Sequence, residues 1–234
     1  MGFNKISNVS LTDLFVEQIE NLILSGELSI GERLPSSRDL TSKMGVSRQV
    51  VTAGLIKLEQ LGFVKIKARE GVYVTDYREQ GTIETLLAIM RYHGGTMRED
   101  EVRSLLEVRG SLEQLSCKLA IANLTESKYQ KLRTALEKIH EAHDSKEAAE
   151  AIFNFHHQIA VMSNNVLLPL MYYSFKEEAE YLWGLSYKHL GIDSLYQEKS
   201  MLLEGIRKRD TDSVERQVKE TIDSSIKDLK LYSN

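Results

Sequence analysis

Three residues close together in the chain, Arg48, Gln49 and Thr52, carry the hydrogen-bond donors and acceptors that can read the edges of DNA bases. They follow Ser47, whose hydroxyl can accept from a backbone N–H and begin a helix there. Apolar residues recur at helical spacing on the other face, namely Val51, Leu55, Leu58 and Leu61. A helix with one buried face and these exposed polar residues suits the major groove of DNA.

A second, shorter helix is predicted just before this one. Ser36 can accept from the backbone N–H near Asp39, and the Asp39 carboxylate can reach back, as in a capping box. Ser37 and Arg38 then lie in the first turn, where they can contact DNA phosphates. The two helices have the spacing of a helix-turn-helix.

Two β-rich runs, residues 63–67 and 72–74, follow the second helix and predict a hairpin wing. Lys67, Arg69 and Gly71 lie at its tip, where they can contact phosphates or a minor groove. The whole arrangement is a winged helix-turn-helix.

The charge distribution fits DNA binding although the net charge is −4. Residues 38–69 carry seven Lys or Arg against two Asp or Glu. Phosphate binding depends on where charge lies, so this local excess matters more than the total. The alternative is a charged surface that only faces solvent.

Length and composition allow two modest cores, since the 234 residues are 42% hydrophobic. We expect a DNA-binding domain at 1–75, a linker at 76–82 and an all-α domain at 83–234. The fold class is therefore mainly α, with a small β-hairpin wing. The predicted helices of the second part are 83–93, 98–121, 126–143, 146–163, 167–189, 194–208 and 211–231.

No apolar run or leader pattern points to a membrane or export, so we expect a soluble cytoplasmic protein, associated with the nucleoid when it is bound to DNA.

The first domain resembles the GntR family of bacterial transcription regulators. The resemblance rests on Leu34-Pro35-Ser36-Ser37-Arg38-Asp39-Leu40, on Gly45-Val46-Ser47-Arg48 and on the glycine-containing wing. It implies that Arg38 and Arg48 contact DNA. The chain has Thr52-Ala53 where the family usually has Arg-Glu, and Arg69-Glu70-Gly71 where the family has Gly-x-Gly. The operator sequence therefore cannot be transferred from relatives.

The second domain resembles the ligand-binding domain of the FadR subfamily. The matching segments are Leu106-Glu107-Val108-Arg109, Phe155-His156, Ser163-Asn164-Asn165 and Leu203-Glu204-Gly205-Ile206-Arg207. Many members hold a divalent metal with one Asp and three His, and the corresponding positions here are Ile152, His156, Lys199 and Thr221. Only one of these four ligands, His156, is retained, and one imidazole cannot hold such an ion at useful affinity. We predict no metal and no other cofactor.

Arg109 has two interpretations. It either clamps a carboxylate or phosphate of a ligand, or it only pairs with Glu107 or Glu113 within its own helix. His156 is either a donor to the ligand or a buried group with an internal partner. Aromatic residues concentrated at 167–189 can line an apolar pocket. The predicted ligand-binding residues are Arg109, His156, Tyr172, Tyr181, Trp183 and Lys199. By analogy with acyl-CoA-responsive members we expect a fatty acyl-CoA, with a small carboxylate held by Arg109 as the alternative.

The resemblance implies a ligand-responsive regulator, expected to be a repressor, that binds a palindromic operator as a homodimer. An enzyme is disfavoured because no nucleophile–base pair, phosphate loop or paired carboxylate motif is found. A general architectural DNA binder is a third interpretation.

Overall fold

The structure is a computed structural model that describes residues 10–92 and 99–231. Its internal contacts divide the chain into two units, Met1–Gly94 and Gly95–Asn234. Both are built mainly from α-helices, and the first also carries a two-stranded sheet, as the sequence predicts. None of the helices in the described ranges is long and apolar enough to cross a membrane.

The first unit is a winged helix-turn-helix. Its elements are α1 (Leu11–Leu24), α2 (Ser37–Met44), α3 (Arg48–Gln60), β1 (Val64–Lys67), β2 (Gly71–Val74), α4 (Tyr77–Gln80) and α5 (Ile83–Tyr92). The expected serines begin α2 and α3: Ser36 accepts from the N–H of Asp39 and Ser47 from that of Val50. Gly45 ends α2 with a φ of 64°, a backbone conformation that glycine adopts without strain.

The core of this unit joins the apolar faces of α1 and α3 to the base of the hairpin. Phe15, Val51, Leu58 and Phe63 are almost fully buried in it. Gly54 lets α3 approach α1 closely, because a Cβ there would lie 2.2 Å from Cδ1 of Phe15. This close packing fixes the orientation of α3 and therefore of its exposed N-terminal residues.

The hairpin pairs β1 and β2 antiparallel, with Val64 opposite Val74 and Lys67 opposite Gly71. Arg33, before α2, forms an isolated bridge with Tyr73. At the tip Arg69 has a φ of 67°, so a turn with left-handed backbone reverses the chain there.

The segment predicted as a linker, 76–82, is partly structured, since it contains α4. Tyr77 packs on Phe63 with ring centroids 5.6 Å apart. The buried Thr85 hydroxyl of α5 donates to the carbonyl of Leu61 at the end of α3. These contacts group α5 with the first unit, so the division by contacts follows Gly94 instead of lying in the predicted linker.

The second unit is a helical bundle. Its elements are α6 (Glu99–Ala122), α7 (Glu126–His140), α8 (Ser145–Met162), α9 (Leu167–Ser174), α10 (Lys176–Lys208), α11 (Thr211–Lys227) and a short 3₁₀ turn (Leu229–Leu231). Helix α8 lies at its centre and packs against α6, α7, α9 and α10. The core positions of α8 include Ile152, Phe155 and Ile159, all fully buried.

Several helix boundaries in this unit differ from the prediction, and α7 ends at His140, before its predicted end at 143. The predicted helix 167–189 is interrupted near Phe175, whose ψ of 21° ends α9 before α10 begins. The predicted break near Gly191 is present as a kink inside α10, since Gly191 has φ 75° and ψ 165°. Helix α11 ends at Lys227, earlier than the predicted end at 231, which lies in the 3₁₀ turn.

Candidate functional site

The exposed start of α3 presents the predicted base-reading residues. Arg48, Gln49 and Thr52 are all solvent-exposed. The Thr52 hydroxyl donates to the carbonyl of Arg48 at 2.9 Å and can still accept. Ser47 uses its hydroxyl as the N-cap, 3.3 Å from the N of Val50, so its part at a DNA surface would be to fix where the helix begins.

The start of α2 adds a second polar surface. Arg38 is exposed and Ser37 is half-buried. The Ser36 hydroxyl donates to the Asp39 carboxylate at 2.6 Å, and this hydrogen bond is the main reason why the pKa of Asp39 lies below its usual value. The Asp39 carboxylate therefore reaches back to the hydroxyl of Ser36.

Cationic side chains are exposed on the wing and beside it. Lys67 and Arg69 are exposed as expected, and the Lys67 ammonium lies 4.8 Å from the centroid of the Tyr73 ring. Gly71 makes room for a third cation that sequence reasoning missed, because a Cβ at this position would lie 2.6 Å from Nε of Arg33. The sequence signal was weak, since Arg33 lies before α2 and is far from the wing in the chain.

A cluster of charged and polar side chains lies inside the bundle of the second unit. Glu113 of α6 is its centre: Oε1 lies 3.1 Å from Nδ1 of His156, and Oε2 lies 3.5 Å from Nε of Arg109. Glu113 and His156 are buried, and the Arg109 side chain retains only 12% exposure. Trp183 packs on the side chains of His156 and Arg109. Its ring is parallel to the His156 ring, with centroids 5.2 Å apart, and its centroid lies 4.5 Å from the guanidinium carbon of Arg109. Tyr172 lines a pocket together with Arg109 and Trp183. Four of the predicted ligand-binding residues therefore lie together, namely Arg109, His156, Tyr172 and Trp183.

Several polar atoms of this cluster are buried without a hydrogen-bond partner in the described part of the chain. They are Nε of Arg109, Oγ of Ser116, both ring nitrogens of His156 and the hydroxyl of Tyr172. The contact of His156 with Glu113 is thus an ion-pair distance without an aligned hydrogen bond. Buried polar groups are rarely left unpaired, and a polar ligand or ordered water is the usual explanation.

Burial and the neighbouring charges set the pKa values of Glu113 and His156. Burial by itself raises the pKa of Glu113, but His156, Arg109 and Lys199 outweigh it and lower this pKa to about 2. Burial lowers the pKa of His156, and the Glu113 carboxylate opposes this effect only in part. Glu113 is therefore an ionised carboxylate at neutral pH, held among the cationic side chains of Arg109 and Lys199.

An apolar pocket lies next to this cluster. Its lining comprises Leu105, Val108, Arg109, Leu112, Tyr172, Phe175, Ala179, Leu182 and Trp183. Arg109 contributes the positive charge of this lining. A pocket with apolar walls and one fixed cation has the chemistry to take a small acid.

Two of the predicted ligand residues lie differently from this group. Tyr181 is partly exposed and precedes Trp183 by two positions, which on a helix points it to another side of α10. Lys199 is buried and pairs with Glu198, whose Oε1 also lies 3.2 Å from the Thr221 hydroxyl. Glu198 was not predicted as part of the site. Adjacent Glu and Lys residues give the same sequence pattern whether they are buried or exposed to solvent.

The residues present do not fit the divalent metal that the subfamily resemblance implies. Ile152 is fully buried and apolar, and both Lys199 and Thr221 contact Glu198. Among residues 10–92 and 99–231, no three His, Cys, Asp or Glu side chains are grouped so that they can hold a metal ion.

Comparison with known proteins matches both units. Residues 12–74 match the family described as "Bacterial regulatory proteins, gntR family", and residues 104–224 match the FCD domain. The regulator LutR of Bacillus subtilis is 30% identical, over 79% of this chain and 85% of its own length. The uncharacterised regulator YcbG of the same organism is 28% identical, over 85% of this chain and 78% of its own length. The solved structure of Lar, described as controlling expression of the Listeria monocytogenes agr system, has a TM-score of 0.59 at 14% identity and covers 97% of this chain and 99% of its own.

Proposed function

Because the chain belongs to the GntR family of bacterial regulators with an FCD effector domain, we propose that it is a repressor whose operator affinity changes when a small carboxylate binds in the second unit. The family assignment makes it a ligand-responsive DNA-binding transcription regulator and not an enzyme. The observation that carries the effector proposal is the Arg109 guanidinium in an apolar pocket, beside buried polar atoms that make no hydrogen bond among the described residues.

For the DNA interface we propose that α3 enters the major groove and the wing contacts the backbone or minor groove. The exposure of Arg48, Gln49 and Thr52 on one end of α3 supports this arrangement. Two such helices in a homodimer require a palindromic operator, so we propose a dimer with two-fold symmetry.

Replacement of Arg48 by Ala tests the reading role of α3. If Arg48 contacts a base, the variant loses about 1–3 kcal/mol of operator binding and discriminates less between operator and random DNA. Lys43, in the last turn of α2, gives a matched charge control, since Lys43→Ala removes a cation outside the proposed reading surface. Fluorescence anisotropy measures the affinity of both variants for operator DNA and for random DNA. An equal loss on both DNAs contradicts base reading by Arg48.

For the effector, the buried charges favour a small polar acid over a long acyl chain. Glu113 and Lys199 are buried in the same unit as Trp183, and an apolar tail beside them would leave charged groups poorly solvated. The acyl-CoA expectation therefore becomes the second candidate, supported by the aromatic residues Tyr172 and Trp183 of the pocket.

The fluorescence of Trp183 offers a direct test, because it is the only tryptophan of the chain and its ring contacts Arg109. We expect malate or citrate to change this emission saturably, and we expect Arg109→Met to abolish the change. A saturable change with a long-chain acyl-CoA alone contradicts the carboxylate proposal.

A further inference from the structure

The charged groups around Glu113 and Glu198 form an internally balanced set. Arg109 and Lys199 supply two positive charges, and Glu113 and Glu198 supply two negative ones. A divalent cation added beside the buried Lys199 ammonium would leave an uncompensated double charge in a low-dielectric interior.

The contacts of Lys199 show what holds these helices together where the subfamily resemblance expects metal ligands. Its Nζ pairs with Oε1 of Glu198, and the same oxygen lies 3.2 Å from the Thr221 hydroxyl of α11. Gln217, also on α11, donates to the carbonyl of Glu198 at 2.7 Å. The neighbouring parts of α10 and α11 are therefore joined by a carboxylate with an ammonium and a hydroxyl, all supplied by the chain.

From these contacts we propose that the second unit works without a metal ion, and that the Lys199 ammonium supplies a second fixed positive charge in its interior, in addition to that of Arg109. This proposal rests on the proposed function only because it treats the interior of the second unit as the effector site. Lys199 then attracts an anionic effector together with Arg109, while Glu198 keeps the ammonium in place.

The first test uses the full-length protein without a tag. After purification without chelators we expect elemental analysis to find no stoichiometric transition metal. After dialysis against EDTA we expect titration calorimetry with ZnCl₂ or NiCl₂ to show no binding that depends on His156. The control is His156→Asn, because exposed histidines such as His140, His143 and His189 can bind these ions weakly at the surface. Metal binding that His156→Asn leaves unchanged is a surface effect and agrees with the proposal. Stoichiometric metal that His156→Asn removes overturns it.

The second test restores the subfamily ligand set with Ile152→Asp, Lys199→His and Thr221→His together. We expect this variant to gain one Zn²⁺ per chain and to melt at a higher temperature with ZnCl₂ than with EDTA. The wild type should melt at the same temperature in both. A wild type that ZnCl₂ stabilises as strongly as the variant contradicts the proposal. If the triple variant does not fold, the wild-type and His156→Asn titrations still decide the question.

A third measurement separates this proposal from the proposed function. The Trp183 emission is titrated with malate or citrate in EDTA and again with NiCl₂. If the acid saturates the Trp183 signal in EDTA and Lys199→Met weakens this binding by about tenfold or more, the loss of a buried charge in the same interior explains it and the ammonium role is supported. Saturation only with NiCl₂ overturns metal independence but leaves a carboxylate effector standing. If neither acid binds, the small-carboxylate effector fails and Lys199 loses its anion-binding role, whereas metal independence is still decided by the titrations above.

Discussion

Replacement of Glu113 by Gln removes the central charge of the buried cluster while keeping the shape of the side chain. Glu113 is 5% exposed and lies within ion-pair distance of both Arg109 and His156. Without the carboxylate the guanidinium is left as a nearly buried charge with no other ion-pair partner among the described residues. We therefore expect the variant to be less stable and the loss to arise mainly at Arg109.

The magnitude follows from the geometry. Removing one partner of a buried ion pair costs about 3–5 kcal/mol. The Arg109 contact is long, at 3.5 Å, and 12% of this side chain remains exposed, so some water compensates the charge. The glutamine carbonyl also keeps an acceptor, so we expect a loss of about 2–3 kcal/mol in the unfolding free energy. In urea this lowers the midpoint by about 1–2 M.

Urea unfolding followed by Trp183 emission measures this loss, since the only tryptophan reports on the second unit. Glu107→Gln is the matched control, an exposed residue on the same helix, and we expect a change within about 0.5 kcal/mol. The double variant Arg109→Met with Glu113→Gln should lose less than the sum of the two single changes. A Glu113→Gln variant as stable as the control, or strictly additive losses, would refute the reasoning.

Two further changes test the packing and the protonation states. Gly54→Ala should destabilise the first unit by about 1–2 kcal/mol, because the added methyl overlaps the Phe15 ring and the gain in helix propensity offsets only part of this, and amide hydrogen exchange in α3 measures it. The stability of the second unit should fall as the pH drops from about 7.5 to about 5.5, since a histidine with a lowered pKa stays neutral when folded while the unfolded chain binds protons below about pH 6.5. Burial also lowers the pKa of His157, so the comparison is made in a His157→Asn background, where adding His156→Asn should flatten the pH dependence.

The first unit was predictable in detail because its signals are local. Serine N-caps, the apolar stripe of α3 and the hairpin pattern each act over a few residues, and the elements begin within one residue of the positions that they indicate. The fold of segment 76–82 could not be predicted, because Tyr77 is ordered by Phe63, a contact that only the folded chain creates.

The interior of the second unit was predictable only in part, because its contacts join residues that are distant in the sequence. The i, i+4 spacing of Arg109 and Glu113 was visible in the sequence, but whether the pair faced solvent or the core was not. The link between Glu198 and Thr221 joins two helices and has no local signature. The break at Phe175 was missed because the aromatic run of 167–189 keeps its helical periodicity across it.

The most direct test of the whole account is the affinity of the purified protein for DNA upstream of its own gene. Fluorescence anisotropy is measured in EDTA, without effector and with malate, citrate or a long-chain acyl-CoA. We predict that one of the acids changes the DNA dissociation constant by about fivefold or more, and that Arg109→Met binds the same DNA but no longer responds to the acid. A response to acyl-CoA alone, or an unchanged acid response in Arg109→Met, would contradict the account.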